Sequence, residues 1–277
     1  MQTVYGLQHV RNLKVLVALR TNIFQELDFG RRGGGQEEKF RALVLDLRWT
    51  PADLEVLLDE RVRAVAKASD LNASTVKEVL PNQNNTMGKP LDYILERTLL
   101  RPRDAIAFAN ECLAVGVGKG RLSWDDIKTA ERSYSNKRVL ALRDEWKGTY
   151  PGVGAVIDKF RRSPTRLTSE EFQALLDEIM LLLSDPKFEG VRWLTDATTA
   201  MWSSGADSTW FEVYQPLTQI LFNIGLVGMS TQSKAAPIFF NDDPHFLEHE
   251  AHIERREYFY LHRTYHAGLD AQATNQR

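Results

Sequence analysis

The stretch RTLLRPRDAIAFANECL, residues 97–113, predicts a helix that begins near Pro102 and carries a basic edge at its start. Proline suits a first helical turn, because the N–H group that it lacks would have no partner there. An apolar face follows at Ala105, Ile106, Ala109, Cys112 and Leu113. Arg101 and Arg103 are unusual at this end, where the helix dipole places partial positive charge. Two interpretations stay open: the arginines are solvated surface groups, or they bind an anion.

Composition and charge exclude several classes of protein. The 277 residues are 43% hydrophobic and 26% charged, with a net charge of −2, and this balance argues against a dedicated nucleic-acid binder. Cys112 is the only cysteine, which excludes an internal disulfide and fits a reducing cytosol; we expect it in the core. No apolar run approaches the roughly 20 residues that span a bilayer, and the first residues resemble no signal peptide. We therefore expect a cytoplasmic protein without a membrane segment.

Two apolar runs come first, KVLVAL at 14–19 and ALVLDL at 42–47. Such runs are typical of strands buried on both faces of a parallel sheet that helices cover. Two strands do not make a stable sheet by themselves. The sequence therefore predicts that residues 1–50 are the C-terminal remnant of an α/β domain.

A mainly helical domain is predicted for residues 51–150. Thr50 can cap a first helix that has Pro51 at its first position and Asp53 in its first turn. Further helices are predicted at 90–98 and 124–147. The glycine-rich stretch GVGKG, residues 116–120, lacks the spacing of a phosphate-binding loop, so we interpret it as a helix C-cap.

Residues 151–277 have the pattern of a winged-helix module, which is three helices followed by a β-hairpin. The hairpin strands are predicted at 238–240 and 258–261, with an inserted helix over 241–256. Pro216 should kink the preceding helix or mark a restart. The predicted helices lie at 153–162, 169–183, 191–202 and 207–223.

Five stretches together resemble the C-terminal part of a bacterial P-loop ATPase of the STAND and AAA+-like branch. In that branch a nucleotide-binding α/β domain precedes a helical lid and a winged helix. KVLVALRTNIF (14–24) resembles the sensor-1 strand, and residues 41–63 resemble the last core strand and first lid helix. TLLRPRDAIAFANECL (98–113) resembles the sensor-2 helix. YSNKRVLALRDEW (134–146) resembles the helix that leaves the lid, and FYLHRTYHAGL (259–269) resembles the closing strand and tail of the winged helix.

This resemblance implies a fold, cofactors and site residues. The fold would be mainly α with a small α/β remnant: a truncated P-loop NTPase sheet, a helical lid and a winged-helix C-terminal domain. The cofactors would be ATP and Mg²⁺. Arg20 and Asn22 would be sensor 1, Arg61 the basic lid residue, and Arg103 the sensor-2 arginine that stabilises phosphate charge.

The sequence departs from these ATPases because it has no Walker A loop and no strand that ends in a Walker B acidic pair. We therefore expect that the chain does not hydrolyse ATP alone, and that ATP and Mg²⁺ bind only with a missing P-loop half. That half would precede this chain in a longer gene or form a separate protein partner. The alternative is a self-contained helical and winged-helix interaction or regulatory protein.

Two further kinds of site, for nucleic acid and for a metal ion, have simpler alternatives. Residues 207–233 contain no lysine or arginine, so nucleic-acid binding through the winged helix is not expected. His245, His249 and His252 have a spacing that can bind a metal ion, but they do not form an HExxH motif. A solvated helix with incidental histidines explains them more simply. No nucleophile with an adjacent base is evident in the sequence.

Overall fold

The structure, a computed structural model, divides into two units, Met1–Arg48 and Trp49–Arg277. It describes residues 9–19, 45, 47–68, 72–82, 84, 86, 88–203, 205, 208–230, 235–244, 246–248 and 258–273.

The strand predicted at 14–19 is wrong. These residues form neither helix nor strand, and Leu16 is 96% exposed. A strand is held by hydrogen bonds to a neighbouring strand, and none of the described residues pairs with this run. Of the run at 42–47, the structure describes Leu45 and Leu47, which are exposed and belong to no strand. The remainder of that run lies outside the described residues.

The predicted helical region is confirmed. Thr50 caps the first helix by a reciprocal pair of bonds, since its hydroxyl accepts from the Asp53 N–H while Asp53 accepts from the Thr50 N–H. Ser123 and Asp126 cap the longest helix in the same way. The helices are α1 (Pro51–Ala68), α2 (Val76–Val79), α3 (Pro90–Leu95), α4 (Pro102–Val115), α5 (Trp124–Trp146) and α6 (Val153–Asp158).

A small antiparallel sheet follows, with three helices between its first two strands. Its order is β1-β3-β2, so the last strand in sequence is central. In β3, Phe259 and Leu261 are buried while Tyr258 and Tyr260 are half-buried, as expected for a strand with one covered face. The elements are β1 (Arg166–Thr168), α7 (Ser169–Met180), α8 (Val191–Ser203), α9 (Trp210–Asn223), β2 (Val227–Ser230) and β3 (Tyr258–Leu261).

The predicted partner of β3 is corrected. Residues 227–230, and not 238–240, pair with β3, while Ile238 makes an isolated antiparallel bridge to Met229. This approach needs Gly228, since a Cβ there would lie 2.5 Å from the Phe239 ring. The predicted insert helix is absent from 241–244, and Phe246–Glu248 forms only a 3-10 turn; residues 249–257 lie outside the described part.

Of the two outcomes predicted at Pro216, a kink or a restart, the restart is wrong, because α9 continues through Pro216. Proline removes one backbone hydrogen bond. The buried side chains of Leu217 and Leu221 on the same helix contribute apolar burial that offsets this loss.

Two apolar clusters fill the unit that starts at Trp49. One draws its buried residues from positions 54–134 of the helical region, and the other from positions 139–269. Helix α5 contributes to both, with Tyr134 in the first and Val139 and Leu142 in the second. This helix therefore joins the helical region to the sheet.

Candidate functional site

Helices α4 and α5 pack against each other in antiparallel register. The rings of Phe108 and Tyr134 stack, with centroids 4.5 Å apart. One turn further along, Asp104 lies 3.0 Å from the guanidinium of Arg138, and both side chains are buried. The two helices are thus joined by a stacked ring pair and a buried ion pair.

Asp104 lies among the arginines at the start of α4 and offsets much of their positive charge. Burial raises the pKa of the Asp104 carboxyl, and the charges of Arg138, Arg101 and Arg103 oppose that rise. Arg101 also lies 3.6 Å from Glu145 on α5. Arg101 therefore meets anions that belong to the protein itself, which answers part of the question that the sequence left open.

The segment after β3 binds the helical region, and we call residues 262–270 the C-terminal clamp. The hydroxyl of Ser135 donates to the Thr264 carbonyl at 2.6 Å and accepts from the Gly268 N–H at 2.8 Å. The Thr264 hydroxyl donates to the Arg97 carbonyl at 2.7 Å. Arg263 forms an ion pair with Glu96. The clamp therefore holds α5 and the segment after α3 together.

Arg97 is itself held in place by two neighbours. Its Nε donates to Glu131 at 2.7 Å, and its guanidinium lies over the Tyr93 ring, 3.4 Å from the centroid. The Tyr93 hydroxyl donates to the same Glu131 carboxylate. Burial, and then this hydrogen bond, raise the pKa of the Tyr93 hydroxyl. These contacts fix the carbonyl to which the clamp binds.

Two histidines lie inside the clamp, of which His262 is buried and His266 is half-buried. Nδ1 of His262 accepts from the Thr264 N–H at 3.1 Å, and Nε2 of His266 lies 2.8 Å from the Leu261 carbonyl, which requires a proton on that nitrogen. Burial is the main cause that lowers the pKa of His262 to about 3 and that of His266 to about 4. Both rings are therefore neutral at physiological pH.

The residues predicted to contact nucleotide fall into two groups. Arg61 lies on α1 and Arg103 on α4, two helices that pack together, and both side chains are exposed. Arg20 and Asn22 lie outside the described residues. The structure thus places two of the four predicted residues on adjoining helices.

The described residues include groups that suit phosphate, but no cluster of side chains that would hold a metal ion by itself. Exposed guanidinium groups such as those of Arg61 and Arg103 suit phosphate. Across the residues that the structure describes, however, no group of three His, Cys, Asp or Glu side chains could hold a metal ion. His245, His249 and His252 lie outside those residues.

The other chemical candidates have structural roles. Cys112 is buried, as predicted, and burial raises the pKa of its thiol to about 12, so it does not act as a thiolate nucleophile. In the GVGKG stretch Gly116 is the C-cap of α4, and Lys119 forms an ion pair with Asp126 at 2.5 Å. The helix C-cap predicted for this stretch is therefore confirmed.

One family matches part of the chain. Residues 52–143 match the model of the FunZ-associated C-terminal helical domain, which is about a third of the sequence. The match begins in α1 and ends three residues before the end of α5. No curated protein and no solved structure matches this chain. Within the described residues, no helix has both the length and the apolar character needed to cross a membrane.

The C-terminal clamp was not predicted from the sequence. The sequence of α5 does contain an indication of this contact. Ser135 and Arg138 occupy the same side of the helix as the buried Ile127, Ala130 and Tyr134. Polar side chains at inward positions of a helix indicate a polar partner on the facing element. The sequence alone did not identify that partner.

Proposed function

We propose that this chain is the helical lid and winged-helix portion of a cytoplasmic P-loop ATPase of the STAND and AAA+-like type. It would sense the nucleotide state and couple it to a conformational change, without hydrolysing ATP alone. The observation that carries this proposal is a continuous line of bonded contacts. It runs from the start of α4, where Arg103 lies, through α5 to Thr264 in the C-terminal clamp.

The first step of this coupling lies in α4. Arg103 is exposed, and its neighbour Asp104 is buried against Arg138. An arginine that binds phosphate would shift the first turn of its helix. Because interiors are close-packed, such a shift would move the buried ion pair and α5 with it.

The second step leads from α5 to the sheet. Ser135 lies one turn before Arg138, and it is bonded to Thr264, three residues after the end of β3. Gly268 packs so closely that a Cβ would lie 2.8 Å from the Ser135 carbonyl group. A movement of α5 would therefore reach the central strand without an intervening flexible loop.

The strand order supports a winged-helix assignment for residues 151–277. Helices α7, α8 and α9 separate β1 from β2, and β3 returns between them. Helix α9 would be the recognition helix of such a module. On this helix Gln215, Gln219 and Asn223 form an uncharged ladder, in which Gln215 donates to Gln219 and Gln219 to Asn223. Because phosphate contacts require cationic side chains, we propose a protein surface as its partner and not a nucleic acid.

The family match supports a larger assembly, since the matching domain is described by its association with FunZ. The exposed apolar side chains of Leu16, Leu45 and Leu47 also favour a partner that covers them. We propose that this partner is the P-loop half that carries ATP and Mg²⁺.

The test is a search of the neighbouring reading frames for a P-loop protein, followed by an ATPase assay of that protein with and without this chain; the lack of such a protein would contradict the proposal. We expect no turnover by the chain alone and an altered rate for the mixture. Arg103→Ala should remove that effect. Arg132→Ala, which changes an exposed arginine on α5, is the matched control and should not.

Turnover by the isolated chain would contradict the proposal, as would an unchanged rate in the mixture. The second of these results would favour the alternative, a self-contained interaction or regulatory protein. The two filled apolar clusters of the unit that starts at Trp49 favour that alternative, because they indicate that this unit can fold alone.

A further inference from the structure

We propose that Asp104, Tyr134, Arg138 and Tyr265 form an internal binding site for ordered water. The site lies where α4, α5 and the C-terminal clamp meet. It does not depend on the proposed function, because it concerns how the joint itself is held together.

Polar atoms are buried at this joint without hydrogen bonds. Asp104 and Tyr265 are 0% exposed, Tyr134 is 1% exposed and Arg138 is 7% exposed. Both Asp104 oxygens, the two tyrosine hydroxyls and Nε of Arg138 make no hydrogen bond within the described residues. The 3.0 Å contact of Asp104 with Arg138 is therefore an ion pair without hydrogen-bond alignment. Buried polar atoms without a partner destabilise the fold, and ordered water commonly satisfies them.

The fold brings these four side chains to one place. Tyr134 and Arg138 lie one turn apart on α5, and Asp104 faces Arg138 from α4. Tyr265 arrives with the clamp, because its neighbour Thr264 is bonded to Ser135, the neighbour of Tyr134. The unsatisfied atoms thus come from three elements that converge.

The chemistry of the group suits water better than an ion. The Asp104 carboxylate accepts hydrogen bonds, Nε of Arg138 donates, and the two hydroxyls can do either. Water needs two to four partners of both kinds, and this group supplies them. One anionic and one cationic side chain make the pair neutral, so the four side chains themselves carry no net charge that would attract an ion.

Tyrosine-to-phenylalanine variants test this proposal. Removing a hydroxyl that a water molecule satisfies leaves that water with fewer partners, whereas removing an unsatisfied hydroxyl relieves a penalty. We expect Tyr134→Phe and Tyr265→Phe each to lower the urea midpoint of the full chain by roughly 0.3 M. The decrease in urea midpoint of the double variant should be smaller than the sum of the two single decreases, because the two hydroxyls share the water. Tyr260→Phe, a half-buried residue of β3, is the control and should leave the midpoint unchanged.

Two results would overturn the proposal: a raised midpoint in either phenylalanine variant, or full additivity in the double variant. A crystal structure at high resolution provides the second measurement. It should show water within about 3.2 Å of Asp104 and of both hydroxyls. A urea midpoint that rises with chloride concentration in the native chain, and not in Tyr134→Phe, would instead indicate an anion and contradict the proposal.

Discussion

The hydroxyl of Ser135 donates to the carbonyl of Thr264 at 2.6 Å, although 129 positions separate the two residues in the chain. The same hydroxyl accepts from the Gly268 N–H. One buried side chain in the middle of α5 therefore satisfies two backbone groups of the C-terminal clamp.

Ser135→Ala should destabilise the chain by about 2 kcal/mol, because it leaves a buried carbonyl and a buried N–H without partners. Urea denaturation of the full chain measures this loss. Asn136→Ala changes the next residue of the same helix, which is exposed, and should shift the free energy of unfolding by less than about 0.5 kcal/mol. Equal effects of the two substitutions would contradict the role given to Ser135.

Gly268→Ala should destabilise the fold by about 1–3 kcal/mol, because the added Cβ would lie 2.8 Å from the carbonyl carbon and oxygen of Ser135. Backbone atoms cannot move aside as a flexible side chain can. At Gly148 an added Cβ would meet nothing within 4 Å, so Gly148→Ala serves as the control. A Gly268→Ala variant as stable as Gly148→Ala would show that the clamp packs less closely on α5.

The two neutral histidines of the clamp predict a loss of stability in mild acid. Their pKa values in the folded state, about 3 for His262 and about 4 for His266, lie below the ordinary value of 6.5. The unfolded chain therefore binds protons that the native chain excludes. The stabilisation is complete above pH 6.5 and is lost as the pH falls from 6.5 towards 4, by about 1.4 kcal/mol per pH unit for each ring.

Other charged groups near the two rings also change how stability depends on pH. Arg101 and His266 further lower the pKa of His262, whereas Glu131 raises that of His266. The raised pKa of Asp104 acts in the opposite direction, because the native state then takes up a proton first as the pH falls. This contribution is the same in wild type and in a histidine variant, so it cancels in the comparison.

His262→Asn should therefore reduce the loss of stability between pH 6.5 and pH 5 by about half. Asparagine keeps an oxygen close to the position of Nδ1, which can accept from the Thr264 N–H, but it does not titrate. Urea midpoints at the two pH values measure the change, with exposed His9→Asn as the control. An unchanged pH dependence in His262→Asn would show that this ring does not carry it.

The stability of the folded chain should depend on both members of the buried pair of Asp104 and Arg138. Arg138→Met leaves the carboxylate buried and unpaired, and we expect a loss of about 3–5 kcal/mol. Asp104→Leu together with Arg138→Met removes both charges and should recover most of that loss. Thermal unfolding measures both variants. Asp144→Asn, which breaks an exposed ion pair with Lys147, should have little effect. A double variant no more stable than Arg138→Met would show that the ion pair itself stabilises the joint.

Local patterns predicted much of this fold. The helices with capping residues at Thr50, Ser123 and Thr168 were predicted to begin where they do, because a cap is a short-range signal. The strand at 258–261 was also predicted at its observed position. Its partners were not, since pairing depends on contacts between distant residues. A four-residue apolar stretch such as Leu226–Met229 carries no periodicity that separates a strand from a turn.

Less of the candidate site could be predicted from the sequence. The arginines near Pro102 pointed to an anion, and the structure supplies Asp104 and Glu145. Aspartate at the start of a helix is commonly an exposed group that favours the dipole. Its burial became visible only when α5 placed Arg138 against it. The nucleotide contacts predicted for Arg61 and Arg103 stay predictions.

The long separation between Ser135 and Thr264 also constrains how this protein is made. A ribosome completes α5 well before it adds the residues that cover Tyr134, Ser135 and Arg138. During that interval the growing chain exposes one aromatic ring and two polar side chains on the inward side of α5. Closure over such a distance is slow and favours association between nascent chains. An mRNA truncated before codon 262 would therefore yield a polypeptide that forms its helices and then aggregates.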